Sequence, residues 1–398
     1  MPKKPHEIAI SIEPTSDNNQ RIIRGALNYL ATQPDLRVFK HLAIPYLDWE
    51  SSLRWKGAGL ITAAETPGAL EKLFPSSTHL VSVSLHQSPL EGVVTVGADN
   101  VKIGWQAAEH LLLAGLRHFV FVGRLDWYHN QERWKGFQRR LQTNGLDVRQ
   151  IELAFVRGQN EILTGAYHNV GHYDLEQLAK QLEQLKFPVG IFAAHDEFAD
   201  AVIEVCRRLS LRVPYDVAVI GVNNYRLVCD SCDPPLTSIP QSAERIGFEA
   251  AGLLHRLIAG DSIEKKLVLF PPQPVVIRRS TDFLAIEDED VVSAVRFIRA
   301  HSHESITTAR VVEEVLVGRK TLDNRFREFL GHPVAEEIRL TKLRRAKGLL
   351  TNTDMPIATV GFDCGFSSTS GFVRAFREAT GKTPRQYQKG YRIPNQKD

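Results

Sequence analysis

Along the first 280 or so residues, short runs of β-branched and aromatic side chains alternate with longer stretches whose apolar positions recur every three to four residues. Residues 7–12 read as a strand and 19–33 as an amphipathic helix. The same pairing returns at 119–123 with 131–144, and at 190–194 with 197–209. Residues 274–278 read as a last strand. Strands separated by helices cannot close as hairpins, so the rhythm predicts parallel sheets with helices on both faces and ligands at the carboxyl ends of the strands. Residues 1–284 are long enough for two such lobes.

The period then changes. The acidic run Glu287, Asp288, Glu289 and Asp290 interrupts the apolar pattern, and 285–290 reads as a linker. Beyond it, from 291 to 398, only the helical period remains, with Val291, Val295 and Ile298 on one face. This all-α part holds two segments of the form short helix, tight turn, second helix. In the second, 357–364 makes a helix capped by Asp354, Gly365 and Phe366 turn the chain, and Ser367 opens a helix with Phe372 and Phe376 buried one turn apart. Ser368, Thr369, Arg374 and Arg377 are left for other faces or the rim. Hydroxyls near a helix start can approach base edges, and arginines further along can reach bases or phosphates.

The first segment spans 308–329. Val311, Val312, Val315, Leu322, Phe326 and Phe329 form its core, and Arg319, Lys320, Thr321, Asn324, Arg325 and Arg327 point outward. Between the two segments, 335–350 reads as one long helix with Lys342, Arg344, Arg345 and Lys347 largely outside. Such a spacer would set two recognition helices into successive major grooves, about 34 Å apart on one face of DNA.

Charge strengthens this picture. The whole chain of 398 residues carries only +3, yet the part from Arg319 onward carries +8 and the part before it −5. A basic terminal module on an acidic body suits a polyanion, because phosphate contacts release counterions. Hydrophobic residues at 43% and charged residues at 24% leave no stretch that composition alone would make disordered. Neither a signal peptide nor a membrane span is predicted, and four cysteines are too few for a disulfide framework, so a cytoplasmic protein is expected.

Leu322, Arg325 and Phe326, then Arg344, Ala346, Leu349 and Leu350, then Gly365, Phe366, Phe372, Phe376, Gly381, Pro384 and Tyr387 make the C-terminal part resemble the AraC-type DNA-binding domain. The first turn departs from that pattern. Leu316 stands where the family has a glycine, and Gly318 where it has a capping serine.

The N-terminal part resembles the sugar-sensing core of LacI/GalR-type regulators. The matching residues are Asp99, Asn100, Gly104, His110 and Leu111, then Gly115 to His118, Arg133, Gly136, Phe137 and Asp196, and the runs from Asp216 to Gly221 and from Pro235 to Ile239. That resemblance implies a two-lobed, type I periplasmic-binding-protein-like α/β fold. Since the first strand starts near Glu7, the small N-terminal headpiece of that family is not expected, and DNA binding falls to the other end. By motif position the resemblance implies Arg133 and Asp196 as leading sugar ligands, then Asn223, Asn224 and Gln241, with Asp17 or Glu13 after the first strand and Trp127 for stacking. Buried amides, carboxylates and guanidinium groups are what a polyol needs to pair its hydroxyls. The family often has Asp at the positions of Asn223 and Asn224.

The remaining chemistry is sparse. Cys229 and Cys232 form a C-x-x-C without a second pair, and His195, His301 and His303 fit no metal motif. No nucleotide loop or catalytic elbow is present, so no catalytic residue, metal or cofactor is expected. A sugar sensor followed by an AraC-type domain resembles the xylose-operon regulators of bacteria. That implies a D-xylose effector, operator DNA and RNA polymerase as partners, a homodimer, and activation of xylose-use genes. The same architecture sensing another pentose or a sugar alcohol, or a sugar-binding protein without regulatory output, are the alternatives left open.

Overall fold

The computed structural model describes residues 5–14, 16–38, 57–63, 78–89, 91–156, 172–282, 288–353 and 355–391. The chain divides into two compact units. The first takes residues 1–105, 123–139 and 240–272, and the second takes 106–122, 140–239 and 273–398.

The first unit is built on a six-stranded sheet in the order β13-β5-β4-β3-β1-β2. Its strands are β1 (His6–Ser11), β2 (Leu36–Val38), β3 (Gly59–Thr62), β4 (His79–Ser82), β5 (Val94–Ala98) and β13 (Leu267–Phe270). All the strand pairs are parallel. Ile8, Ala9, Leu60, Ile61, Val81 and Val96 are fully buried, as expected where helices cover both faces. Helices α1 (Asp17–Leu30) and α7 (Ala243–Ile258) pack at Gly25 and Gly247, where an added Cβ would meet the partner backbone at 1.8 Å in each case.

The second unit holds a five-stranded sheet in the order β12-β11-β10-β6-β7. Here β6 is His118–Gly123, β7 Arg149–Glu152, β10 Val189–Ala193, β11 Val217–Val222 and β12 Thr237–Ile239; a small pair, β8 (Phe155–Val156) and β9 (His172–Tyr173), lies apart. The helices of the α/β part are α2 (Asn100–Leu113), α3 (Tyr128–Gln142), α4 (Leu175–Leu182), α5 (Asp196–Arg208) and α6 (Arg226–Ser231). The predicted strand at 274–278 is not one. The stretch contributes a single antiparallel bridge, Val276 to Ser238, and the last strand is β13. Pro271, Pro272 and Pro274 lack the N–H that a ladder requires, which ends pairing there.

The same unit carries the helical module: α8 (Glu289–Ala300), α9 (Thr308–Val315), α10 (Arg319–Leu330), α11 (Val334–Asn352), α12 (Ile357–Asp363), α13 (Thr369–Thr380) and α14 (Pro384–Tyr391). Residues 285–287 of the predicted linker lie outside the described residues, and Asp288 already caps α8 through bonds from the backbone of Asp290 and Val291. Within this unit, Arg299 of α8 donates to Asp282 at 3.1 Å and Arg296 to the Tyr215 hydroxyl at 3.1 Å.

Candidate functional site: a sugar-sensor core and a nucleic-acid interface

The helical module has two separate cores. Val291, Val295, Ile298, Val311, Leu322 and Phe326 make the first, and Leu343, Leu350, Val360, Phe372 and Phe376 the second. Each helix-turn-helix therefore has its own packing, with α11 running from one to the other. Phe329 is not in the first core: it is 38% exposed, and Leu330, one turn beyond Phe326, packs there instead.

In the first helix-turn-helix the turn is as irregular as its sequence implied. Leu316 sits in the left-handed region at φ 54° and is 91% exposed, and Gly318 starts α10 with no side-chain cap. Arg319, Lys320, Thr321 and Asn324 are exposed along the start of α10. Arg325 is not available outward. Its guanidinium bonds Asp290 at 2.6 Å and Asp288 at 3.2 Å, locking α10 to the start of α8.

The second turn is regular and tightly held. Gly365 adopts φ +70° and its carbonyl accepts from Lys342 Nζ at 2.8 Å and Ser305 Oγ at 3.2 Å. The Arg345 guanidinium donates to the Asp363 carbonyl, while Arg344 pairs with buried Glu337 at 2.9 Å. Lys342 and Arg344, expected largely outside, are thus half-buried and occupied within the module, because the orphan carbonyls at the end of α12 and the buried Glu337 need donors. The predicted cap Asp354 lies outside the described residues, and Pro356 precedes the first residue of α12.

Helix α13 begins one or two residues later than expected, because Ser368 is extended and its Oγ accepts the Gly371 N–H at 3.1 Å. Ser367, Ser368, Arg374 and Arg377 are exposed and Thr369 is half-buried. Thr369, Ser370, Val373, Arg374, Arg377 and Thr383, with the carboxylate of Glu378 at one side, line an open depression of about 830 Å³ on this helix. Basic and hydroxyl groups on a concave helix face, with Phe372 and Phe376 anchoring the opposite face, are what a groove-reading helix presents.

The candidate sugar residues are distributed over both units. In the first, Arg133 is 2% exposed and its Nε donates to Asn100 Oδ1 at 2.9 Å, while Asn100 Nδ2 bonds the Ala98 carbonyl at the end of β5. The guanidinium is therefore oriented by the strand end. Gln241 is buried. Glu13 is exposed and Asp17 half-buried at the start of α1, where Ser16 supplies the cap. Trp127 lies in a ring cluster with His86 at 4.8 Å and His129 at 5.6 Å, and the Arg124 guanidinium is 5.1 Å from its centroid. His129 Nδ1 also donates to the Leu85 carbonyl at 3.2 Å, and burial, then Arg133 and His86, hold its pKa well below the usual imidazole range. His86 and His129 carried no sign in the sequence, since an isolated histidine, whether on a loop as His86 or in the first turn of a helix as His129, carries no motif.

In the second unit, Asp196 is fully buried at the start of α5. Its Oδ1 accepts from Ser238 Oγ at 2.5 Å and its Oδ2 from the Tyr225 N–H at 2.7 Å. Burial raises its pKa to about 7. Ser238 Oγ also accepts the Asn224 N–H at 2.9 Å, so one hydroxyl joins Asp196 to the loop after β11. Asn223 and Asn224 both have positive φ, 109° and 53°, and the buried Oδ1 of Asn224 has no hydrogen-bond partner. Backbone strain and an orphaned acceptor on consecutive residues mark this loop as a place built for something other than stability. Ser238 was not foreseen as a site residue. Its signal lay in the Thr237-Ser238 pair between the apolar Leu236 and Ile239.

Other chemistry is quiet. All four cysteines are buried and unpaired in disulfides, Cys232 donates to Asp200 at 3.3 Å, and burial pushes its thiol up to about 12. Among the described residues no cluster of histidine, cysteine and carboxylate side chains could hold a metal ion, and no helix is long and apolar enough to cross a membrane.

Residues 108–281 match the periplasmic binding protein-like domain family and 311–390 a helix-turn-helix domain family. The chain is 27% identical over 403 residues to the xylose operon regulatory protein of Escherichia coli strain K12, covering 96% of this chain and 97% of that one. Among solved structures, a xylose-binding transcription activator is similar over 98% of this chain and 99% of its own, with 27% identity and a TM-score of 0.59. A LacI family regulator from Enterococcus faecium with bound ribose shares the fold of the sensor part at 20% identity and a TM-score of 0.53, over 69% of this chain and 98% of its own. These relatives are transcription regulators rather than enzymes.

Proposed function

We propose that this transcription regulator, which carries its sugar sensor ahead of its helix-turn-helix module, is a D-xylose-dependent activator of genes for xylose use. The observation that carries the reading is the end-to-end similarity to a xylose-binding transcription activator, which spans the sensor and the DNA-binding module together. In this reading residues 1–284 form the sensor, 285–290 the linker and 291–398 the DNA-binding domain.

The candidate sugar ligands are Arg133, Asp196, Asn223, Asn224, Gln241 and Trp127, with Asp17 or Glu13. Asp196 acts on the sugar through oxygen lone pairs left over from Ser238 and Tyr225, or else braces the Asn224 loop that does so. On the DNA side, Ser367, Ser368, Thr369, Arg374 and Arg377 of the second helix-turn-helix make the principal contacts, and Arg319, Lys320, Thr321 and Asn324 those of the first helix-turn-helix. The protein acts in the cytoplasm as a homodimer and recruits RNA polymerase. Sugar can switch it only by binding two arrangements of the dimer with different affinity.

Calorimetry of the full chain with a panel of pentoses, hexoses and sugar alcohols tests the effector. Heat with D-xylose and none with its epimers is the expected result, and silence with D-xylose alongside a signal from another sugar reassigns the effector. A mobility shift on promoter DNA, with and without the sugar, tests the output. Sugar binding without any shift would reduce the chain to a sugar-binding protein.

A further inference from the structure

One buried side chain in the first unit has polar groups that nothing engages. Asn130, in the first turn of α3, is 0% exposed, and neither its Oδ1 nor its Nδ2 has a hydrogen-bond partner. Its backbone N–H is satisfied by the Trp127 carbonyl at 3.0 Å, so the orphaned groups belong to the side chain alone. A buried amide is normally paired, since removing it from water without replacement bonds is costly.

The helix cannot shift to supply a partner. Between α2 and α3 the backbones touch. A Cβ at Gly104 would stand 1.9 Å from the Arg133 carbonyl oxygen, and one at Gly136 would stand 1.9 Å from that of Val101. Asn130 lies three residues after Trp127 and one turn before Arg133, on the same side of α3 as Arg133. Because both amide atoms are unpaired, the missing partner must donate and accept. A hydroxyl does both, whereas a phosphate or carboxylate could satisfy only the N–H₂ and an ammonium only the oxygen.

We propose that Asn130 is a sugar-contacting residue whose amide pairs with a hydroxyl of the effector beside Arg133, and that it discriminates among sugars by the presence of that hydroxyl. This rests on the sugar-sensing reading above. A site built to bond a hydroxyl rejects the analogue that lacks it, because the amide is then left unpaired again.

The test is a cycle on the full chain: calorimetry of wild type and Asn130→Leu with D-xylose and its 2-, 3- and 4-deoxy derivatives. The expected result is at least a tenfold loss of D-xylose affinity in the variant, about 1.4 kcal/mol, with one deoxy derivative bound equally by variant and wild type. Affinity for D-xylose within twofold of wild type would overturn the proposal and leave an internal water as the amide's partner. So would an equal loss for every derivative, which would mark a structural effect passed through Arg133. Should the leucine variant fail to fold by circular dichroism, Asn130→Ser takes its place in the same cycle with the same outcomes. If wild type binds another sugar of the panel but not D-xylose, the effector assignment falls, and that sugar with its deoxy derivatives decides the role of Asn130. If it binds none, both fall.

Discussion

Replacing Gly365 by alanine should be among the most damaging single changes in the DNA-binding module, and its cost can be built up from the structure. The residue holds φ +70°, where a side chain costs about 1–2 kcal/mol. The new Cβ would stand 2.0 Å from the Glu304 carbonyl oxygen, which is backbone and cannot rotate aside. The turn must therefore move, and moving it loosens the bond from Lys342 Nζ, a charge-assisted contact of roughly 1.5–3 kcal/mol, and the weaker one from Ser305. The total is about 3–5 kcal/mol, at the upper end of single substitutions. Gly381 is an internal control: it has the same φ of +70° but nothing within 4 Å, so Gly381→Ala should cost only about 1–2 kcal/mol. Hydrogen exchange read by mass spectrometry over 357–380 measures the local opening free energy, and a mobility shift reads operator affinity. Equal costs for the two alanines, or full operator affinity in Gly365→Ala, would refute the claim that contacts from the loop between α8 and α9 and from α11 hold this turn.

Leu316→Gly should stabilise the first helix-turn-helix by roughly 0.5–1 kcal/mol, since the left-handed strain goes and a 91% exposed side chain takes little packing with it; a lower urea midpoint would contradict this. Arg374→Ala should weaken operator binding and reduce the slope of log affinity against log salt by about 1, with sugar calorimetry unchanged. Loss of both activities would point to misfolding rather than to a phosphate contact. His110 bonds Thr281 Oγ1 at 2.8 Å, and burial, with Arg299 and Arg344 nearby, depresses its pKa from 6.5 to about 3. The unfolded chain takes up that proton first, so the folded state should lose about 1.4 kcal/mol per pH unit as pH falls from about 6.5 towards 3. Urea midpoints at pH 7.5 and 5 should converge in His110→Gln, and an unchanged pH dependence would show that another group controls it.

The alternation of strand and helix, the change to a helical period after residue 290, and the two helix-turn-helix segments were all legible in the order of residues. Each of these depends on which face of a single element is apolar, and periodicity within one segment reports that directly. The odd first turn was legible too, because Leu316 is the wrong residue for a left-handed backbone and Gly318 has no side chain to cap a helix, wherever the rest of the protein lies. What the sequence could not decide was partnership between distant segments. Asp196 and Ser238 are 42 residues apart, Lys342 and Gly365 are 23 apart, and Arg325 reaches back 35 positions to Asp290. A basic residue on the polar face of a helix looks free until another segment offers it a carbonyl or carboxylate, so Arg325, Lys342 and Arg344 were read as outward. Asn130 shows the converse. Its residue type and helical position are unremarkable in sequence, and only the packing of α2 against α3 decides that its amide is buried with nothing to bond.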